Sequence, residues 1–125
     1  MIKLFKSKKL LLLIDKNEME LIDLLTDKTF KAKSDSDFSK DNLHIAEFSV
    51  AEKLLEKLIS KHIGKRKFRP NLDILVQPIL RKNESLSSVE KRAILEVCTF
   101  RGGRKVIIHE STELISRQKA RSILD

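Results

Sequence analysis

The chain has 125 residues, 41% of them hydrophobic, and a formal net charge of +8. That length suits one domain with a core large enough to need neither disulfide nor metal, and the apolar fraction excludes an intrinsically disordered chain. A single cysteine, Cys98, excludes an internal disulfide and a cysteine-rich zinc site, while the charge favours anionic surfaces without choosing between nucleic acid and acidic lipid.

The first nine residues mix Ile2, Leu4 and Phe5 with Lys6, Lys8 and Lys9. They read as a tail leading into a strand, or as a candidate membrane tail in which each lysine near anionic lipid contributes roughly 1 kcal/mol. The apolar run that follows, Leu10 to Ile14, is cut off by Asp15. It is shorter than the roughly 7–15 apolar residues of a secretory signal and far below the ~20 of a membrane span. The expected location is cytoplasmic, membrane-peripheral if the tail docks.

Leu10–Ile14 reads as a buried strand. Asp15-Lys16-Asn17-Glu18 is a tight turn, since Asp and Asn tolerate turn geometry. Met19–Thr29 continues as the second strand of a hairpin, residues 33–42 form a polar loop, and Leu43–Phe48 is a third strand. Ser49-Val50-Ala51-Glu52 has the pattern of a capping box. Behind it Val50, Leu54, Leu55, Leu58 and Ile59 make one helical face, and Gly64 is placed to end the helix. Leu72–Val76 is a fourth strand closed by Pro78. Residues 79–86 connect it to a second capping pattern, Ser87-Ser88-Val89-Glu90. The next helix carries Val89, Ala93, Ile94, Val97 and Cys98 on its apolar stripe, which makes Cys98 a small buried hydrophobe. Gly102-Gly103 ends it, Val106–Ile108 is a fifth strand, and a last helix runs from about Thr112 with Leu114, Ile115, Ile123 and Leu124 as apolar positions.

The order is βββαβαβα over one domain, 1–125, without internal repeat. It implies an α/β fold: a mixed five-stranded sheet flanked by helices. That order matches the ribonuclease H-like topology, which is also the core of each lobe in actin-type proteins.

Four collinear segments between residues 43 and 110 carry a resemblance. Ile45-Ala46-Glu47-Phe48-Ser49-Val50-Ala51-Glu52-Lys53-Leu54-Leu55 is similar to IADF-x-V-(T/A)-E-x-ML. Arg69-Pro70 with Asp73-Ile74-Leu75-Val76-Gln77-Pro78 is similar to a strand preceded by RP and ending in VP. Ser88-Val89-Glu90-Lys91-Arg92-Ala93-Ile94 is similar to (T/Q)-VE-(K/R)-RA-(I/V), and Gly103-Arg104-Lys105-Val106-Ile107-Ile108-His109-Glu110 to GAREV-x-LIE. Together they make the chain resemble the first-lobe core of the MreB/Mbl family of rod-shape-determining bacterial actins.

The resemblance implies where a nucleotide would sit and what has changed there. The family's first hairpin turn wraps ATP phosphates with a Gly and a Thr, because backbone amides reach a phosphate only where no side chain intervenes. Here Asn17 and Glu18 stand at those positions, after Asp15 at the family's acidic position near magnesium. Glu110 matches the first acid of EEPMAAAIGAG, but the proline and small residues that follow are replaced by Ser111 to Lys119. No second lobe is found in these residues. The resemblance therefore implies a degenerate nucleotide site, with Asp15, Asn17, Glu18 and Glu110 as remnants and no cofactor.

Other chemistry fares no better. A two-metal nuclease on this topology needs acids on the first strand, the first helix and the fourth strand. Asp15 and one of Glu47, Glu52 or Glu56 can serve, but the fourth strand ends in the neutral Gln77 and Pro78, with Asp73 at its wrong end. His44, His62 and His109 lack ligand spacing and read as surface or supporting residues. The densest basic cluster, Lys61, Lys65, Arg66, Lys67 and Arg69, complements a helix dipole or forms a candidate anion site without stacking aromatics beyond Phe68.

The expected function is a non-catalytic, MreB-like interaction domain. A lobe lacking its usual covering must become more polar or bury its exposed face in a protein partner or a second copy. The alternative is electrostatic binding of anionic membrane or, less favoured, nucleic acid through the basic segments.

Overall fold

The computed structural model describes residues 7–37, 39, 44–64 and 70–125. The element order is β1 (Lys8–Asp15), β2 (Glu18–Asp23), β3 (Thr29–Lys33), α1 (Phe48–Ile63), β4 (Leu72–Pro78), α2 (Ser88–Phe100), β5 (Gly103–Ile108) and α3 (Arg117–Leu124). The strands form one mixed sheet in the order β3-β2-β1-β4-β5. β1 pairs antiparallel with β2, and β2 with β3, while β4 runs parallel to both β1 and β5.

The unbroken apolar run of β1 follows from its central place in that sheet, where both faces are covered. Leu10, Leu12 and Ile14 point into a core shared with Leu54, Leu55, Leu58 and Ile59 of α1 and with Ile94, Val97 and Cys98 of α2. Leu11 points the other way, with Leu75, onto Ala120 and Leu124 of α3. The larger core therefore lies under α1 and α2 and a smaller one under α3. No described helix is long and apolar enough to cross a membrane.

The expected βββαβαβα order is present, but the third strand lies elsewhere. β2 ends at Asp23, the chain turns with Asp27 at φ 63°, and β3 returns as Thr29–Lys33. The turn is built around the Asp23 carboxylate, whose Oδ1 accepts the N–H groups of Leu25 at 2.8 Å and Thr26 at 3.2 Å. With the sheet edge thus filled, Leu43–Phe48 is not a strand. His44–Glu47 is irregular and Phe48 already opens α1, while Leu43 lies outside the described residues.

The first capping box does not form. α1 starts before Ser49, its N-cap is Glu47 without a side-chain bond, and Glu52 pairs instead with Arg101 at 2.9 Å. Gly64 does close α1, at φ 78° with its N–H on the Ser60 carbonyl. At α2, Ser87 Oγ accepts the Glu90 N–H as expected, but the Glu90 side chain turns to His44 rather than back to its cap. Val89 is exposed, not part of the buried stripe. α3 begins at Arg117 rather than near Thr112 because Ser116 caps it, accepting the Lys119 N–H. Leu114 consequently lies before the helix and is exposed.

Candidate functional site

The C-terminal ends of β1 and β4 meet at one edge of the sheet, and the β1–β2 turn stands over it. Asp15, Asn17 and Glu18 are together there. Asp15 Oδ1 accepts the Lys16 N–H at 2.8 Å and lies 3.9 Å from an Arg81 Nη. Asn17 adopts φ 56°, the left-handed conformation that Asn tolerates. Glu18 pairs with Lys31 at 2.9 Å, and the hydrogen bond and charge of Glu18 raise the Lys31 pKa.

Asn17 is a clasp. Its N–H donates to Ser39 Oγ at 3.0 Å, its Oδ1 accepts the Ser39 N–H at 2.8 Å, and its Nδ2 donates to Asp37 Oδ1 at 3.1 Å. Ser39 Oγ in turn donates to the His44 carbonyl at 2.6 Å. The Asn17 amide is therefore committed to the chain's own Ser39.

Gln77 does the same from β4. Buried at the strand end, its Nε2 donates to the Glu113 carbonyl at 2.7 Å and its Oε1 accepts the Ile115 N–H at 3.0 Å. It pins the stretch after β5 across the sheet edge. Between that stretch and the first hairpin lies a cleft of about 240 Å³, walled by Leu13, Ile79 and Leu114 and lined by Asp15, Glu18 and Glu20 against one cation, Lys31. Three carboxylates to one lysine make it repulsive to a polyanion.

Glu110 is not part of this group. Its carboxylate accepts the Leu86 N–H at 3.1 Å and pairs with Lys91 at 3.2 Å, and these contacts, the Leu86 N–H first, hold its pKa below the ordinary value. It fastens the loop ahead of α2. Nor do the acids weighed for a nuclease converge: Glu52 and Glu56 both pair with Arg101, at 2.9 and 3.4 Å. No group of three His, Cys, Asp or Glu among the described residues can hold a metal ion.

Two residues of the candidate membrane tail belong to the sheet. Lys8 and Lys9 belong to β1 and pair with Asp23 and Asp125, while Ile2, Leu4, Phe5 and Lys6 lie outside the described residues. Of the basic cluster, Lys61 sits in the last turn of α1; Lys65, Arg66, Lys67 and Arg69 lie outside the described residues. What the sequence reading missed is upstream. Lys53, Lys57 and Lys61 recur every fourth residue along α1, and Lys53 and Lys57 share a groove of about 260 Å³ with Lys33 and Asp35. The i, i+4, i+8 spacing is legible in the sequence itself.

Two buried histidine–carboxylate pairs were also missed. His44 Nδ1 lies 2.9 Å from Glu90 Oε1 and its Nε2 is 2.8 Å from the Ile79 carbonyl; His62 Nε2 lies 2.6 Å from Asp23 Oδ2. Each joins segments about forty residues apart, so no local pattern announces it.

No family model matches the chain, and no curated protein matches it. Among solved structures, the ethanolamine utilization protein EutJ from Carboxydothermus hydrogenoformans is similar, with a TM-score of 0.55 at 12% sequence identity. The fold is actin-like. The match covers 83% of this chain but 36% of EutJ, so the chain spans about a third of that protein's length. At this identity the likeness concerns the actin-like fold alone and does not single out the rod-shape-determining branch.

Proposed function

We propose that this chain is a non-catalytic, actin-like interaction domain of MreB type, which works by protein contact alongside cell-shape filaments in the cytoplasm rather than by nucleotide turnover. The observation that supports it is the closed β1–β2 turn: the Asn17 amide is spent on Ser39, and the adjoining cleft presents Asp15, Glu18 and Glu20 where a triphosphate would lie. Nucleotide-binding turns leave backbone amides bare toward the phosphate. A calorimetric titration with Mg-ATP and a phosphate-release assay test this. No saturable heat and no turnover are expected; turnover lost on Asp15→Ala would overturn the proposal.

One observation favours a second reading, electrostatic binding of an anionic membrane or nucleic acid. Lys33, Lys53, Lys57 and Lys61 make no ion pair with any carboxylate among the described residues. Co-sedimentation with anionic vesicles, or nucleic-acid binding with a steep salt dependence, would support it. Neither is expected if the domain works by protein contact alone.

A further inference from the structure

β3 is the outermost strand of the sheet, beside β2 alone. The Asp23 N–H donates to the Lys28 carbonyl and the Ser34 N–H to the Asn17 carbonyl. An antiparallel ladder alternates, so between those points Phe30 and Ala32 spend their N–H and C=O groups on Leu21 and Met19. The N–H and C=O groups of Thr29, Lys31 and Lys33 therefore point outward, away from β2. The β2–β3 register has no bulge, so this edge is a regular template for another strand.

α1 runs along the same edge. The His62 ring, in its last turn, stands 5.0 Å from the Phe30 ring, while Lys53 and Lys57 share the groove with Lys33 at the other end of the strand. Lys53, Lys57 and Lys61 are exposed. The groove is lined by these lysines over Val50 and Leu54, with Asp35 as the acid among its lining residues. Glu56, on the same helix, is held by Arg101 and Ser60.

The helix and the strand edge have matched spacing. Lysines four residues apart on a helix are separated by about 6 Å along its axis. Alternate residues of an extended strand are separated by about 7 Å. From Lys53 to Lys61 the row is about 12 Å long, against about 13 Å from Thr29 to Lys33.

We infer that the β3 edge, with the α1 lysine row beside it, is a docking groove for an extended acidic segment of a partner protein, which adds to the sheet as a strand and presents a carboxylate at every second residue. Main-chain bonds to Thr29, Lys31 and Lys33 hold the segment, and its carboxylates on the α1 side meet Lys53, Lys57 and Lys61. The basic edge repels the same edge of a second copy, which leaves it open to an acidic strand. A nucleic acid has no strand to offer, and no aromatic ring lines the groove for bases to stack on. A bilayer surface leaves the outward backbone groups of β3 without partners. The inference names a partner chemistry for the interaction reading and rests on that reading.

Fluorescence anisotropy of a labelled peptide, about six residues alternating Glu and Val, titrated with the full chain tests it. Saturable binding is expected, with amide hydrogen exchange slowed at Thr29, Lys31 and Lys33 in the complex. The same peptide N-methylated at every residue keeps its charge but has no N–H to donate, and should bind about tenfold or more weaker. Lys53→Glu combined with Lys57→Glu should weaken binding of the unmethylated peptide about tenfold or more. An unchanged melting temperature shows that this variant is folded, and the methylation contrast, made on the unaltered chain, does not depend on it. No binding, or equal binding of the methylated peptide, overturns the proposal. So does tighter binding to phosphatidylglycerol vesicles or to a DNA duplex than to the peptide at the same salt. ATP turnover in a chain that binds the peptide defeats the non-catalytic reading and leaves this groove standing. A chain that neither turns over ATP nor binds the peptide does the reverse.

Discussion

His62, in the last turn of α1, donates from Nε2 to the buried carboxylate of Asp23 at the end of β2, 2.6 Å away. The same carboxylate accepts the N–H groups of Leu25 and Thr26 and faces Lys8 at 3.4 Å. One acid thus ties the first helix, the first strand and the turn into β3.

Burial alone would raise the Asp23 pKa. The Leu25 N–H, the His62 ring, the Thr26 N–H and the charge of Lys8 together outweigh it and hold the pKa below the ordinary 3.8. A depressed carboxyl stabilises the fold above its unfolded pKa, and that contribution is lost as pH falls through the folded value. The urea midpoint should therefore drop as pH falls below about 4. Asp23→Asn should cost about 2–4 kcal/mol at neutral pH and flatten the acid limb of the profile. An unaltered limb in the variant would show that another carboxylate governs it.

Gly103 opens β5 against the end of α2. A Cβ there would lie 2.7 Å from Val106 Cγ2 and 2.9 Å from the Cys98 carbonyl oxygen, which is backbone and cannot swing away. Gly103→Ala should destabilise by about 2–3 kcal/mol, measured by chemical denaturation. At the neighbouring Gly102 a Cβ would make only an ordinary contact with Leu72 Cδ1 at 3.8 Å, but φ is 108°, so Gly102→Ala is costly through backbone strain instead.

What could be read from the sequence was what local patterning determines. Leu10–Ile14 declares a strand covered on both faces, and Ser87 declares a helix start. β3 was missed because Thr29–Lys33 is an edge strand with only Phe30 and Ala32 half-buried between exposed residues. The turn before it was hidden by Leu24, which is buried although it lies outside any strand. At the site, the Asp15–Glu18 turn was legible from its residue types. Its closure by Ser39 was not, since that bond crosses 22 residues. Val89 was assigned to the core because the helical period alone does not fix how wide the buried stripe is.

Cys98 is fully buried between α2 and the sheet, and desolvation pushes its thiol up to about 12. The thiolate is the reactive form, so at neutral pH the native thiol is both uncharged and shielded. Alkylation by iodoacetamide should be negligible in the folded protein and complete in guanidinium. Because reaction requires opening of the α2 packing, native labelling should accelerate in Gly103→Ala, which strains the same contact. Rapid labelling of the wild-type fold would contradict this burial.

Asn17 separates conformation from hydrogen bonding at the candidate site. It occupies a left-handed backbone position and also makes side-chain bonds to Ser39 and Asp37. Asn17→Ala loses the bonds and adds the cost of φ 56°, for a loss of about 2–3 kcal/mol. Asn17→Gly loses the same bonds but suits the backbone, and should be the milder variant by about 1 kcal/mol. In both, amide hydrogen exchange should quicken at Ser39, whose N–H loses its acceptor, while β1 stays protected. If Asn17→Gly also brought measurable Mg-ATP binding, the clasp would be what keeps phosphate from the turn. If it brought none, the carboxylates of Asp15, Glu18 and Glu20 suffice to exclude it. Amide exchange unchanged at Ser39 in both variants would show that the clasp does not hold this segment.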